Sequence, residues 1–274
     1  MTGTTVIVWG VALVVAAVVV AAAAPRLLTR WAWTIDHPRT ALVSWCAAVL
    51  IGVGGSVSGV TLVALGGRHG EDPFRLAASP THGAHLVVAV AAVLAFVVAV
   101  RVPPGPEHAA VRAALRTGAA ERRRVAGTEI AVVAGERALA CAVPGRDRTV
   151  LVSTGLAARL RPDELDAVVA HEAAHLTGHH AAVVGVAESI ERAVPWVPGA
   201  RAMASATRVL VEFAADDTAA RRVGAEVVAR AIERSDVGGA APLTGVRVAR
   251  LRRPATPGQR RWRAAPVTSR KKSA

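Results

Sequence analysis

From Thr4 to Ala24, from Ala41 to Leu65 and from Ala84 to Val100 the chain carries no Asp, Glu, Lys or Arg. A hydrocarbon core of roughly 30 Å needs ~20 helical residues at a rise of 1.5 Å each, so all three runs can span it, the third narrowly. Arg101 closes the third run and can snorkel to the interface. The composition agrees, with 53% of the 274 residues hydrophobic and only 3% aromatic, too apolar for an ordinary soluble or disordered chain. Two cysteines, Cys46 and Cys141, make no disulfide framework and read as buried free thiols in a reducing compartment. The first run is read as a span and not as a cleaved signal peptide, because no Lys or Arg precedes it and its apolar length is too great. In the second run Gly55 and Gly59, beside Gly52, Ser56 and Ser58, form a small-residue stripe that lets a neighbouring helix approach closely.

Basic residues in short loops set the orientation. The loop after the first run has Arg26, Arg30 and Arg39 against Asp36, with Trp31 and Trp33 as interface anchors, whereas the next loop balances Arg68 and Arg75 against Glu71 and Asp72. The first loop is therefore expected in the cytoplasm, the amino terminus outside and everything after Arg101 inside.

Beyond a Pro103-Pro104-Gly105-Pro106 linker, Glu107 to Ala126 reads as a helix stopped by Gly127. Three β-rich stretches follow, Glu129 to Val133, Ala138 to Val143 and Thr149 to Ser153, in the manner of a small antiparallel meander. A helix then opens at Pro162, with Asp163, Glu164 and Asp166 at its positive end and apolar Leu165, Val168, Val169 and Leu176 at helical spacing. Ala181 to Val211 is too interrupted by charges, Pro195 and Pro198 for a further span and reads as a helical hairpin or interfacial segment. Residues 102–237 are net neutral, so most of the formal +13 falls in Gly238 to Ala274, which has ten Lys or Arg and no acid. With its prolines and glycines this segment reads as a disordered basic tail, attracted to anionic cytoplasmic-leaflet lipids in preference to nucleic acid. The expected architecture is thus a mostly α membrane protein. Residues 1–102 form a three-helix transmembrane region, 103–237 a small α+β cytoplasmic domain and 238–274 the tail.

The most specific pattern is His171-Glu172-Ala173-Ala174-His175 on the helix opened by Pro162. Residues four apart share one helical face, so both imidazoles can grip one Zn²⁺ from the same side while Glu172, offset by one position, faces the water. Catalytic zinc sites use three protein ligands, and the near candidates fail. Ala181 occupies the position at which a Gly178-type extension would need histidine, and His179 lies about 12 Å along an unbroken helix from His171. His179 and His180 read as polar residues at the helix end. A carboxylate from a second helix remains, and Glu212 with Asp216 places two on one face, a pattern that a solvated acidic face would also give.

These residues resemble the gluzincin-like integral membrane zinc metallopeptidases of the BlaR/MecR type and, more distantly, the HtpX and CAAX prenyl protease group. The likeness covers about Ala138 to Arg222. It rests on Thr149-Val150-Leu151-Val152-Ser153-Thr154-Gly155, on Asp163-Glu164-Leu165 through His175, and on Glu212-Phe213-Ala214-Ala215-Asp216. The resemblance implies a zincin-like peptidase domain in which His171, His175 and Glu212 bind zinc, Glu172 is the general base and Asp216 orients a ligand histidine. It also implies that the Thr149 to Ser153 strand borders the cleft and offers an exposed edge to an extended peptide. The resemblance covers the peptidase motifs and not a penicillin-binding sensor domain, so antibiotic sensing is not among the expectations. The expected function is a membrane-anchored zinc endopeptidase acting on cytoplasmic or membrane-proximal proteins, a transcriptional repressor among them. The alternatives are a quality-control protease for membrane proteins and a non-catalytic receptor or scaffold with a structural metal. The group that stabilises the oxyanion is not identified by the sequence; Arg221 and Arg222 read as surface residues.

Overall fold

The computed structural model describes residues 3–30, 33–66, 120–125, 127–144, 148–193, 195, 199–235 and 243–254. The chain divides into two compact units, Met1–Val102 with Val184–Thr207, and Pro103–Val183 with Arg208–Ala274.

In the first unit, α1 (Gly3–Arg30) and α3 (Pro38–Gly66) flank the short α2 (Trp33–Asp36). The glycine stripe works as expected: a Cβ on Gly59 would lie 2.6 Å from the carbonyl oxygen of Gly10, and one on Gly10 2.7 Å from that of Gly59. Only hydrogen fits at that crossing, which brings the two backbones into contact. Val8, Trp9, Val15, Val19, Leu50 and Ile51 stay exposed on these helices, an outward apolar surface that water does not favour. Among the described residues, one stretch, Pro38–Val63, is long and apolar enough to cross a membrane, and Thr4–Val20 is a shorter apolar stretch. Of the three expected spans, one is therefore a candidate by length and composition. The run from Ala84 to Val100 lies outside the described residues.

The second unit is built on a four-stranded sheet of β1 (Ala120–Val125), β2 (Thr128–Val133), β3 (Ala140–Val143) and β4 (Thr149–Ser153). Two expectations are corrected here. Ala120–Val125 is a strand and not the end of a helix reaching Ala126; residues 107–119 lie outside the described set. Its Glu and Arg residues favour helix locally, but pairing with β2 from Ala120↔Val133 to Val125↔Thr128 outweighs that preference. Gly127, at φ 76°, makes the turn tight, so the glycine read as a helix stop serves a hairpin instead.

The sheet is also no meander. Its order is β1-β2-β4-β3, with β2 and β4 parallel. Val150, Leu151 and Val152 are all fully buried, and a strand apolar on both faces belongs in the interior of a sheet, where β4 lies. Both edges of β4 are paired, so it cannot offer the free edge expected of Thr149 to Ser153. The end strand beside it is β3.

Ser153 ends β4 and caps α4 (Thr154–Arg159), accepting the Leu156 N–H at 3.1 Å. Gly155 presses against the Gly135-Glu136 backbone with no space for a side chain. The helix α5 (Pro162–Thr177) then starts on proline. Its Val169 packs among Ile130, Val150, Val152 and Leu156, which seats the helix on the sheet. Arg148 closes the far end by donating to the Leu176 carbonyl at 3.0 Å, where a cation also meets the negative end of the helix dipole.

Four helices complete the described chain: α6 (His180–Ala193), α7 (Ala200–Val223), α8 (Ala225–Ser235) and α9 (Thr244–Arg252). The break between α6 and α7 falls at the Pro195 region, as the interrupted pattern led one to expect. The helix α9 corrects the expectation of a disordered tail over 238–274. Val248 and Leu251 are buried in one cluster with Ala167, Ala219 and Val228, while Arg250 pairs with Asp217 and Arg252 with Glu226 and Glu233. The basic excess in this stretch is neutralised by acids on the two preceding helices, a compensation that a segment-by-segment charge count misses. Residues 255–274 lie outside the described set.

Glu164 fixes the start of α5. Its carboxylate, fully buried, accepts the Arg161 N–H at 2.9 Å and an Arg234 N–H at 3.0 Å, and lies 3.6 Å from Arg230 Nε. The asymmetry of burial dictates an asymmetry of cost. Removing both half-exposed arginines strands a buried charge and should destabilise the unit by about 3 kcal/mol, whereas Glu164→Gln, which leaves two part-exposed cations with Arg230 still paired to Asp163, should cost about 1 kcal/mol. Thermal unfolding of Arg230→Ala/Arg234→Ala beside Glu164→Gln checks the order.

Candidate metal centre

The helices α5 and α7 meet at the residues the sequence singled out. One turn of α5 aligns His171 and His175, whose Nε2 atoms are 3.1 Å apart. From α7, Glu212 places Oε2 3.3 Å from His171 Nε2 and Oε1 3.4 Å from His175 Nε2. Tetrahedral zinc bound at ~2.0–2.1 Å separates its ligand atoms by about 3.3–3.4 Å, and with each imidazole facing one of the two Glu212 oxygens the three side chains converge closely enough to share such an ion. Two nitrogens and a carboxylate are also a donor set that zinc accepts. Glu212 thus stands beside both imidazoles, within the 4.8 Å that bounds the ligand atoms of this cluster.

Asp216, one turn further along α7 and fully buried, lies with Oδ1 3.0 Å from His171 Nδ1. Accepting that Nδ1–H leaves the Nε2 lone pair free to face a metal. His175 is oriented differently: its Nδ1 is 3.0 Å from Nδ1 of His180. His180 was expected to be a polar residue at the helix end, yet it is buried. After Gly178, His179 adopts φ 51°, which ends α5 and turns His180 back onto His175. A histidine just past a helix-stopping glycine was the available signal. Glu172 accepts the backbone N–H of Ala142 on the end strand β3, which brings that strand beside the motif.

A cation unforeseen by the sequence reading completes the cluster. Arg247, on α9, donates to both oxygens of Asp216 at 2.6 and 2.9 Å and lies 3.1 Å from Glu212 Oε2. Its only sequence signal is apolar Val248 and Leu251 at helical spacing amid basic residues.

Charge explains how the groups titrate without metal. Burial opposes the charged form of His171, but hydrogen bonds to Asp216 and Glu212 prevail and push its pKa up to about 10. Burial and the neighbouring His171 charge drive His175 down to about 4. Burial works against ionised Glu212 and Asp216 as well, but His171 and Arg247 hold both at about 2. Glu172 is raised, by burial first, with His171 pulling the other way and Glu212 adding to the rise. At pH 7 the metal-free site therefore holds His171 as imidazolium and His175 as neutral imidazole. Since His171 can bind a metal through Nε2 only when neutral, zinc binding at pH 7 should release about one proton, and progressively less as pH rises through 10. Titration calorimetry in buffers of different ionisation enthalpy reads this number.

Residues 108–214 match the family model described as Peptidase family M48. The matched stretch contains His171, Glu172, His175 and Glu212 and ends before Asp216 and Arg247. No curated protein and no solved structure matches the chain. The match supports a metallopeptidase of the M48 family, for which zinc is the implied metal, and does not single out the BlaR/MecR type.

Proposed function

We propose that this chain is a membrane-anchored zinc endopeptidase that hydrolyses cytoplasmic or membrane-proximal proteins, with a transcriptional repressor as one substrate class. The observation that carries the proposal is the convergence of His171, His175 and Glu212, whose potential ligand atoms all lie within 4.8 Å of one another, with Glu172 beside them. Those three residues hold the metal and Asp216 orients His171. When bound, zinc supplies Lewis acidity that makes water nucleophilic near neutral pH and polarises a peptide carbonyl. Glu172 takes a proton from the attacking water and returns it to the leaving amine. Its contact with Ala142 favours β3 as the strand that pairs with an extended substrate, in place of Thr149 to Ser153. A scaffold with a structural metal has no use for a carboxylate in Glu172's place.

Membrane anchoring is supported by Pro38–Val63 and by the family match. The loop arginines favour an external amino terminus and a cytoplasmic peptidase region, and the distal basic residues favour contact with anionic lipids. The reading is tested by incubating the purified chain with membrane and cytosolic proteins. Fragments should appear, vanish with a chelator and return with zinc. Fragments indifferent to chelation would overturn the reading.

A further inference from the structure

We propose that Arg247 is a positioning residue of the metal centre, reaching in from α9 to hold Glu212 and Asp216 where one faces both imidazoles and the other fixes His171. The role rests on the zinc reading above and extends it to a residue outside the matched stretch 108–214. Glu212 and Asp216 are one turn apart on α7, and two ionised carboxylates so placed repel each other. Without Arg247, His171 would be left as the group nearest both carboxylates to offset that repulsion. The Arg247 fork spans them: Nη2 and Nε hold the two oxygens of Asp216 at 2.6 and 2.9 Å, and Nη1 reaches Glu212 Oε2 at 3.1 Å. Such charge-assisted, planar contacts fix direction as well as distance. With all three guanidinium nitrogens directed to carboxylates, Arg247 acts on the positions of the donors and not on a substrate oxygen. The site's charges also balance with it. Glu172, Glu212 and Asp216 bring three carboxylates, which Arg247 and one divalent ion would neutralise.

Docking of α9 does not depend on this contact. Arg250 grips Asp217 at 2.8 and 2.9 Å and lies over the Phe213 ring at 4.9 Å, Arg252 pairs with Glu226 and Glu233, and Val248 and Leu251 are buried. Arg247 can therefore be replaced while the helix stays in place.

The experiment measures zinc affinity of the purified full chain by competition with a chromophoric chelator, together with the visible spectrum of the cobalt-loaded protein. Arg247→Ala should weaken zinc binding ~10–100-fold, the usual cost of losing a group that orients ligands, and should shift the cobalt bands. Arg247→Lys, which restores charge without the fork, should recover only part of the affinity. Arg252→Ala, which breaks pairs remote from the ligands, should bind zinc like the wild type. Unchanged affinity in Arg247→Ala would overturn the role, and so would tighter binding, which would mean that the guanidinium competes with the metal. If Arg247→Ala does not fold, Arg247→Lys decides alone: affinity and cobalt spectrum equal to wild type would overturn the role. Failure of the wild-type chain to bind zinc would instead bring down the reading on which this role rests.

Discussion

Glu172→Gln should lower kcat on any substrate the wild-type chain cleaves by at least ~100-fold while leaving its zinc content unchanged. The two halves of that result have separate origins. Zinc is kept because the ligand cluster consists of His171, His175 and Glu212, with Glu172 outside it. Activity is lost because the amide has the shape of the carboxylate, and its oxygen can still accept the Ala142 N–H, yet it cannot carry a proton from water to the leaving amine. Metal analysis and steady-state kinetics on the same preparation separate the possibilities. Full activity in the variant would mean that Glu172 is not the base, and missing zinc would make it a ligand.

That prediction draws on the part of the molecule most legible from sequence, because the His171–Glu172–His175 relation is set by helical geometry alone. Pro162 and the acids behind it announce the helix, and residues four apart must share its face. Glu212 and Asp216 were half legible. Their mutual spacing is local, whereas their meeting with the histidines depends on how α7 packs against α5, and only the resemblance supplied it.

Where pairing across distance decides the outcome, the sequence pattern misled. Glu121 to Arg124 favour helix by composition, and only their partners on β2 make them a strand. The apolar run of β4 was read as a strand, but its burial on both faces, which excludes it from the sheet edge, is a property of the folded unit. The basic segment after Gly238 looked like solvated tail because its compensating acids, Asp217, Glu226 and Glu233, lie on helices that precede it. Arg247 was hidden for the same reason, and His180 because a left-handed residue at 179 turns it back.

The strongest effect on the metal itself is expected from Glu212→Ala, which should weaken zinc binding by more than the ~10–100-fold that loss of an orienting group costs. It removes one of three donors, and the loss spreads to its neighbours. Arg247 keeps Asp216 but loses its contact at 3.1 Å, and His171 loses one of the two carboxylates that raise its pKa to about 10. The second effect opposes the first, since a less tightly held proton on His171 is easier for a metal to displace. It is the smaller of the two, because Asp216 remains and is the larger contributor to that shift. Chelator competition on Glu212→Ala, Arg247→Ala and wild type should therefore rank them in rising order of affinity. A Glu212→Ala chain that binds zinc as tightly as the wild type would show that the third donor is another residue.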